Sequence, residues 1–515
     1  MIQNLTIKKI KNDLPASIVV FFVALPLCLG IALASGAPLF SGIISGIIGG
    51  IVVGCFSGSQ LGVSGPAAGL AVIVFNGIGD LGSWELFLCA VLMAGVFQLI
   101  LGFARAGFIA HFFPNSVITG MLAGIGLLII LKQLPYLFGW HSDFLGEETF
   151  NQVNGENTFS AIKHAISTLS PLTICISLLS LTTLILWDKY LIKSHKIFQL
   201  IQGPIVVVFL GILTSAILIQ LGMPMEANQL VQLPAIESVE SFTNEMRFPI
   251  LTEIFNIKVL SLALVMAIVA SIETLLCVEA TDKLDPQKNI TPTNRELKAQ
   301  GIGNIISGLL GGLPITQVIV RSSANIAFGG KTKMSTILHG IFLMVSVLVA
   351  TSTLNLIPLA SLAAVLMAVG YKLAKPTLFK SMYNKGWEQF LPFVITCVVM
   401  IFTDLLSGVA VGLGVSLFFT LKHSYHNAFH FKNTGINDQG EEVHHIVMAE
   451  VVPFFNKPNI IRKLNSIPKN SKVVLDFSNN KSMAFDVVEF IKEFLAQSKL
   501  RNINVEVIQF QDRTS

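Results

Sequence analysis

From about Ser17 to Leu421 the sequence is a series of apolar runs broken by Gly, Pro or short charged stretches. Many of these runs approach the roughly 20 residues that a helix needs to cross a bilayer core. Only 12% of the residues are charged, against about 25% in ordinary globular proteins. After His423 the pattern turns to mixed polar and apolar residues with charges every few positions. The reading is an all-α polytopic membrane domain, residues 1–424, followed by a small soluble domain, residues 425–515.

Apolar stretches begin near Ala16, Phe40, Pro66, Leu86, Ser116, Leu172, Gly203, Val259, Ala299, Ile315, Thr336, Pro358, Phe390 and Leu405, which predicts fourteen spans. Placing the N-terminus in the cytoplasm puts Arg105, Lys189, Lys193, Lys196, Lys283, Lys288, Arg295, Lys298, Lys331, Lys333, Lys372, Lys375, Lys380 and Lys385 inside. The two long outer segments, roughly 134–165 and 223–257, then carry Asp143, Glu147, Glu148, Glu226, Glu237, Glu240 and Glu245. A cytoplasmic excess of Lys and Arg is what orients such helices, and an even count returns the C-terminal domain to the cytoplasm. Lys8, Lys9 and Lys11 precede the first apolar run. That run is too long for a cleaved signal and reads as a retained anchor in the plasma membrane.

A net charge of +4 without a basic, aromatic-studded face argues against nucleic acid as a partner. Cys28, Cys55, Cys89, Cys175, Cys277 and Cys397 all lie in apolar segments and form no C-x-x-C pair. They read as buried small hydrophobes, with neither a metal site nor a cofactor implied. No nucleophile–base pair marks an enzyme.

Two spans depart from the pattern, and they occupy equivalent places if fourteen divides into seven and seven. The third opens with Gly62-Val-Ser-Gly65-Pro66-Ala67-Ala68-Gly69, the tenth with Gly311-Gly-Leu-Pro314-Ile-Thr316-Gln317. Paired short, interrupted helices point to a transporter site between inverted repeats. The alternative is that Gly and Pro merely kink two packed helices. A helix that begins in mid-membrane aims unpaired N–H groups and about half a positive charge at whatever lies before it. Two such starts make an anion site without a lysine. The expected donors are amides near Ala67, Ala68 and Gly69, and near Gln317, Val318 and Ile319.

Charges within spans are costly and usually functional. Glu273 lies deep in the eighth span, and Arg321 about one turn into the tenth. One reading makes Arg321 a fixed charge near an anion and Glu273 a coupling group for a proton or cation. The other makes them a buried ion pair joining two helices.

At these residues the sequence resembles the SulP family of anion permeases, called solute carrier family 26 in animals. The resemblance is carried by Ser271-Ile-Glu-Thr-Leu-Leu, Asn294-Arg-Glu296-Leu-Lys-Ala-Gln300-Gly-Ile-Gly-Asn304, Gly311-Gly-Leu-Pro314, Arg321-Ser322 and Gly329-Gly-Lys-Thr332. Gly65-Pro66 and Ile357-Pro358-Leu-Ala-Ser-Leu-Ala-Ala364 are weaker echoes. It implies a seven-plus-seven inverted repeat, a core domain moving against a gate domain, substrate between the third and tenth helices, a C-terminal STAS domain and a homodimer. In the tail, Lys472–Ser478 reads as a strand, Ala484–Leu500 as an amphipathic helix and Asn504–Phe510 as another strand, the first half of a STAS fold. Lys481-Ser-Met-Ala-Phe replaces the usual Asp-Ser-Gly-type helix start, which argues against a phosphoserine switch.

The resemblance implies sulfate, bicarbonate, chloride or dicarboxylate as substrate. A sodium-coupled bicarbonate branch uses an acidic residue at the Glu273 position with hydroxyl side chains nearby. Here those positions are Cys277 and Ile319, poor ligands for a hard cation. Burial among apolar neighbours favours the protonated carboxyl, which suits proton coupling. The expectation is a proton-coupled or exchanging transporter of a small inorganic anion, sulfate by default. Its binding set is Gly65, Pro66, Ala67, Ala68, Gly69, Thr316, Gln317, Val318, Ile319 and Arg321, with Glu273 and Cys277 for coupling. Sodium-dependent bicarbonate uptake, an anion channel and a nucleobase permease are the alternatives.

Overall fold

A computed structural model describes residues 7–140, 150, 157–191, 202–232, 246–349, 351–426, 429–436 and 442–510. The expected outer residues Asp143, Glu147, Glu148, Glu237, Glu240 and Glu245, and the inner Lys193 and Lys196, lie outside these. The chain forms two units, Met1–Leu413 and Gly414–Ser515. The division falls inside the helix Leu405–His426, and the expected boundary at 424–425 lies near the end of that helix.

Leaving aside single turns, the first unit contains α1 (Ile7–Ala34), α2 (Leu39–Ile48), α3 (Ala71–Leu81), α4 (Trp84–Phe103), α5 (Asn115–Phe138), α6 (Thr158–Ser167), α7 (Pro171–Leu186) and α8 (Gly203–Gln220). It continues with α9 (Ile257–Leu284), α10 (Thr293–Leu310), α11 (Ile319–Ala327), α12 (Met334–Val349), α13 (Leu359–Leu373), α14 (Pro376–Asn384), α15 (Trp387–Phe402) and α16 (Leu405–His426). In lipid a backbone must satisfy its own hydrogen bonds, so apolar runs become helices. Each of the fourteen expected stretches holds a helix. Among the described residues nine are long and apolar enough to cross a membrane, and three shorter apolar helices accompany them.

Close helix packing rests on small residues. On α4 and α10, β-carbons added at Gly95, Gly301 or Gly308 would meet opposing backbone at 2.6–2.8 Å. Cys28, Cys89, Cys277 and Cys397 are buried as expected, but Cys55 and Cys175 are exposed. Cys175 lies on α7, much of whose surface faces outward, so an apolar position there is a lipid-facing position rather than a core one.

The third and tenth stretches do not start as helices. Ser64–Pro66 (β1) and Ile315–Gln317 (β2) are short strands that pair antiparallel, with Gly65 opposite Thr316. Each strand then turns into its helix, through a 3₁₀ turn at Ala68–Leu70 for α3 and directly for α11.

The second unit is α/β. Its sheet runs β3 (Phe429–Ile436), β4 (Glu442–Met448), β6 (Lys472–Asp476), β8 (Asn504–Ile508), with β3 antiparallel and the rest parallel. Two-residue strands β5 (Val451–Val452) and β7 (Ser482–Met483) pair beside it. Helices α17 (Lys457–Asn465) and α18 (Phe485–Ser498) make the crossovers. Ile446, Val473, Leu475, Ile460, Val487 and Ile491 form the core between sheet and helices.

Candidate functional site

The strand pair brings two helix starts to one place. Neither start has a side-chain cap: Ala67 precedes the 3₁₀ turn and Val318 precedes α11, both with extended backbone. The first bonds in the two turns run from Leu70 N–H to Ala67 O and from Ser322 N–H to Val318 O. Helix geometry therefore leaves the amides of Ala68 and Gly69, and of Ile319, Val320 and Arg321, without intrahelical acceptors. The expected donors shift by about one residue in α11. Gln317 N–H donates to Thr274 Oγ1 at 3.3 Å and Val318 N–H to Val63 O at 2.9 Å, so neither is free for a ligand.

A cavity of about 30 Å³ lies at these starts. Of the expected residues it is lined by Pro66, Ala68, Glu273, Cys277, Val318, Ile319 and Arg321, with Leu27, Ile31 and Leu405 as apolar wall. A single water needs about 10–15 Å³ on the same scale, so the space suits a small ion. Gly65, Ala67, Gly69, Thr316 and Gln317 do not line it. Gly65 and Thr316 are in the strand pair. Gln317 turns its side chain away, its Nε2 donating to Thr281 Oγ1 at 3.0 Å. Gly69 sits against Glu273, where a β-carbon would come 3.1 Å from Oε2.

Glu273 is 3% exposed and Arg321 1%, and neither terminal nitrogen of Arg321 hydrogen-bonds the Glu273 carboxylate. The Arg321 guanidinium lies behind the strands against Gly65 and Cys28: a β-carbon on Gly65 would fall 2.1 Å from Nη1. Among the described residues no oxygen or nitrogen acceptor meets either terminal nitrogen, and the Cys28 thiol is their polar neighbour. That gives no support to the alternative reading of a Glu–Arg bridge joining two helices. It leaves a buried cation beneath the strand crossing. Among the described residues no group of three His, Cys, Asp or Glu is placed to hold a metal.

The residues that hold the crossing in place belong to the stretch that carries the family resemblance. Glu296, Gln300 and Asn304 sit one turn apart on α10, all essentially buried. Asn304 brackets Ile315, donating to its carbonyl at 2.9 Å and accepting from its N–H at 2.6 Å, and also donates to Gln98. Gln300 donates to Ser64 Oγ at 2.7 Å and to Glu296 at 3.0 Å. Glu296 accepts from Ser57 Oγ and Gly58 N–H. From α11, Ser322 Oγ accepts from Val63 N–H and Asn325 donates to Leu61 O. The available signal was the i, i+4, i+8 spacing of polar residues in a helix flanked by apolar ones. Lys132, buried in α5, is a further intramembrane charge that the sequence analysis passed over.

Residues 10–399 match the signature of the sulfate permease family. YvdB of Bacillus subtilis, whose name proposes sulfate transport, is 29% identical over 422 residues, covering 82% of this chain and 75% of that protein. The bicarbonate transporter BicA of Picosynechococcus is 25% identical over 424 residues, covering 81% and 71%. Among solved structures, SLC26A9 superposes with a TM-score of 0.69 at 18% identity, covering 99% of this chain and 86% of that one. The transmembrane domain of a cyanobacterial BicA gives 0.53 at 24% identity, covering 79% and 98%. The fold likeness therefore takes in both the helical unit and the C-terminal strands, which fit a STAS domain.

Proposed function

The chain belongs to the sulfate permease family, whose members are membrane transporters of anions rather than enzymes, and from that premise we propose secondary active transport of a small inorganic anion, sulfate by default, coupled to protons or to anion exchange. The observation that carries this reading is the strand pair, which aims two uncapped helix starts at one small cavity with Glu273 on its wall. The amides of Ala68, Ile319, Val320 and Arg321, all on the cavity lining, supply donors for an oxyanion, and the two helix starts add positive potential. Arg321 adds charge from behind. Glu273 is the coupling group, and alternating access moves the helices bearing this site against the rest. Fourteen spans in two inverted repeats, cytoplasmic termini, an inner-membrane location and a homodimer complete the proposal.

Cavity size speaks against a nucleobase. Sodium-coupled bicarbonate uptake is the second reading, supported by the likeness to BicA. Against it, Cys277 lines the cavity where a hard cation wants oxygen. A channel would use the same anion site without coupling through Glu273.

Uptake of labelled sulfate and bicarbonate into proteoliposomes, with and without proton and sodium gradients, decides between these. Sulfate uptake should follow an inward proton gradient and ignore sodium. Uptake that needs sodium and ignores pH would transfer the chain to the bicarbonate reading. Ala68→Leu, which puts three carbons into the cavity, should abolish uptake while the protein still folds and purifies normally. Undiminished uptake by that variant would remove the cavity from the mechanism.

A further inference from the structure

A second recess opens beside the C-terminal end of α9. Its volume is about 400 Å³, and its polar lining is Lys283, Lys372, Lys375, Thr119, Thr377 and Ser381, drawn from α5, α9, α13 and α14. Lys283 lies ten residues beyond Glu273 on the same helix, about 15 Å at 1.5 Å per residue. The two cavities are therefore separate.

The charges around the recess do not cancel. Lys372 is neutralised by Asp188 at 3.0 Å and stands over the Phe328 ring. The hydrogen bonds of Lys283 go to neutral acceptors, Asn115 O at 2.9 Å and Thr119 Oγ1. The ammonium of Lys375 has no hydrogen bond or ion pair among the described residues. Lys385 is near enough to repel Lys283 and Glu279 to attract it, while Glu279 is also engaged by His111 at 3.2 Å. Helix α14 begins here with Lys375 at its cap position, no side-chain cap and Pro376 in its first turn. Its positive end adds to the lysines. Two ammonium groups that no carboxylate hydrogen-bonds, a helix start and the hydroxyls of Thr377 and Ser381 make a site for more than one negative charge. The volume exceeds what a small inorganic anion fills.

We propose that this recess is a second anion-binding site, one that takes a phosphate-bearing polyanion, either soluble or as a phospholipid headgroup. It binds independently of the cavity at Glu273. The proposal rests on the lining of the recess and not on the transport reading.

The test is calorimetric titration of the purified full-length protein, in nanodiscs of neutral lipid, with inorganic pyrophosphate, which is too large for the central cavity. One binding site is expected. Lys375→Glu, a change at an exposed side chain, should weaken binding roughly tenfold, as for one lost charge-assisted contact. Lys283→Met should weaken it in the same direction, and Ala68→Leu should leave it unchanged. Acidic phospholipid in the nanodiscs should weaken pyrophosphate binding if a headgroup competes, and leave it unchanged if the natural ligand is soluble. Either result supports the site. Absence of binding in neutral nanodiscs, or binding lost in Ala68→Leu and kept in both lysine variants, overturns it.

Discussion

A hydrogen is all that Gly69 presents to Glu273, because a β-carbon there would sit 3.1–3.2 Å from the carboxylate. The carboxylate thus packs on the backbone of the helix start that contributes Pro66 and Ala68 to the same cavity. Gly69→Ala forces a shift of a few tenths of an ångström, which the protein can absorb by moving Glu273. Normal yield with reduced turnover is the expected outcome, measured as uptake per folded molecule. Glu273→Gln tests the chemistry more directly, because the amide mimics a carboxyl that never releases its proton. Burying an ionised carboxylate is costly, so a proton-coupling role requires the group to exchange protons during the cycle. In Glu273→Gln, uptake driven by a pH gradient should collapse while anion-for-anion exchange persists. The Arg321 terminal nitrogens have no carboxylate as hydrogen-bond partner among the described residues. Joint loss of stability and of both transport modes would instead make Glu273 a structural residue.

The short strands β1 and β2 exist because something other than a sheet holds them. Asn304 satisfies both backbone groups of Ile315, and Gln300 ties Ser64 to the same helix. Asn304→Ala would leave a buried N–H and a buried carbonyl without these partners, at about 1–3 kcal/mol for each unmet group. A lower unfolding temperature with weakened anion binding is expected, and an unchanged protein on both counts would place the support elsewhere. The breaks themselves were legible in Gly62–Gly69 and Gly311–Gln317, since Gly and Pro at the start of an apolar run interrupt a helix wherever they fall. The support was not, because a polar stripe on α10 reads the same whether it faces water, a partner helix or a bare strand. Nor could spacing tell that Arg321 points behind the strands, or that Gln317 and Val318 have already used their amides. In the tail, the apolar pattern marked β6, α18 and β8 to within a few residues, because a two-layer α/β core imposes a period of two on each strand and of about 3.6 on the helix. The pairing of β5 with β7 was not legible, since two-residue strands carry no period.

At the scale of the whole molecule the two units differ in what holds them. The first is organised around helix packing and a buried polar crossing. The second has its own apolar core, with Ile446, Val473 and Leu475 on the sheet facing Ile460, Val487 and Ile491 on the helices. Every side chain lining the central cavity comes from the first unit. A chain ending after Gly440 would keep that cavity but leave β3 without β4, its partner among the described strands. An orphaned strand is a site for unwanted pairing, so a second truncation, after Tyr425, separates that hazard from the loss of the domain. Both truncated proteins should bind anion as the full chain does, measured by titration on monodisperse material. Yield, the dimer fraction or turnover should fall in both, and aggregation should be worse in the longer one. If the shorter protein is monodisperse and no longer binds anion, the C-terminal unit contributes to the site through an interaction between the units, and the cavity as drawn from the first unit alone is incomplete.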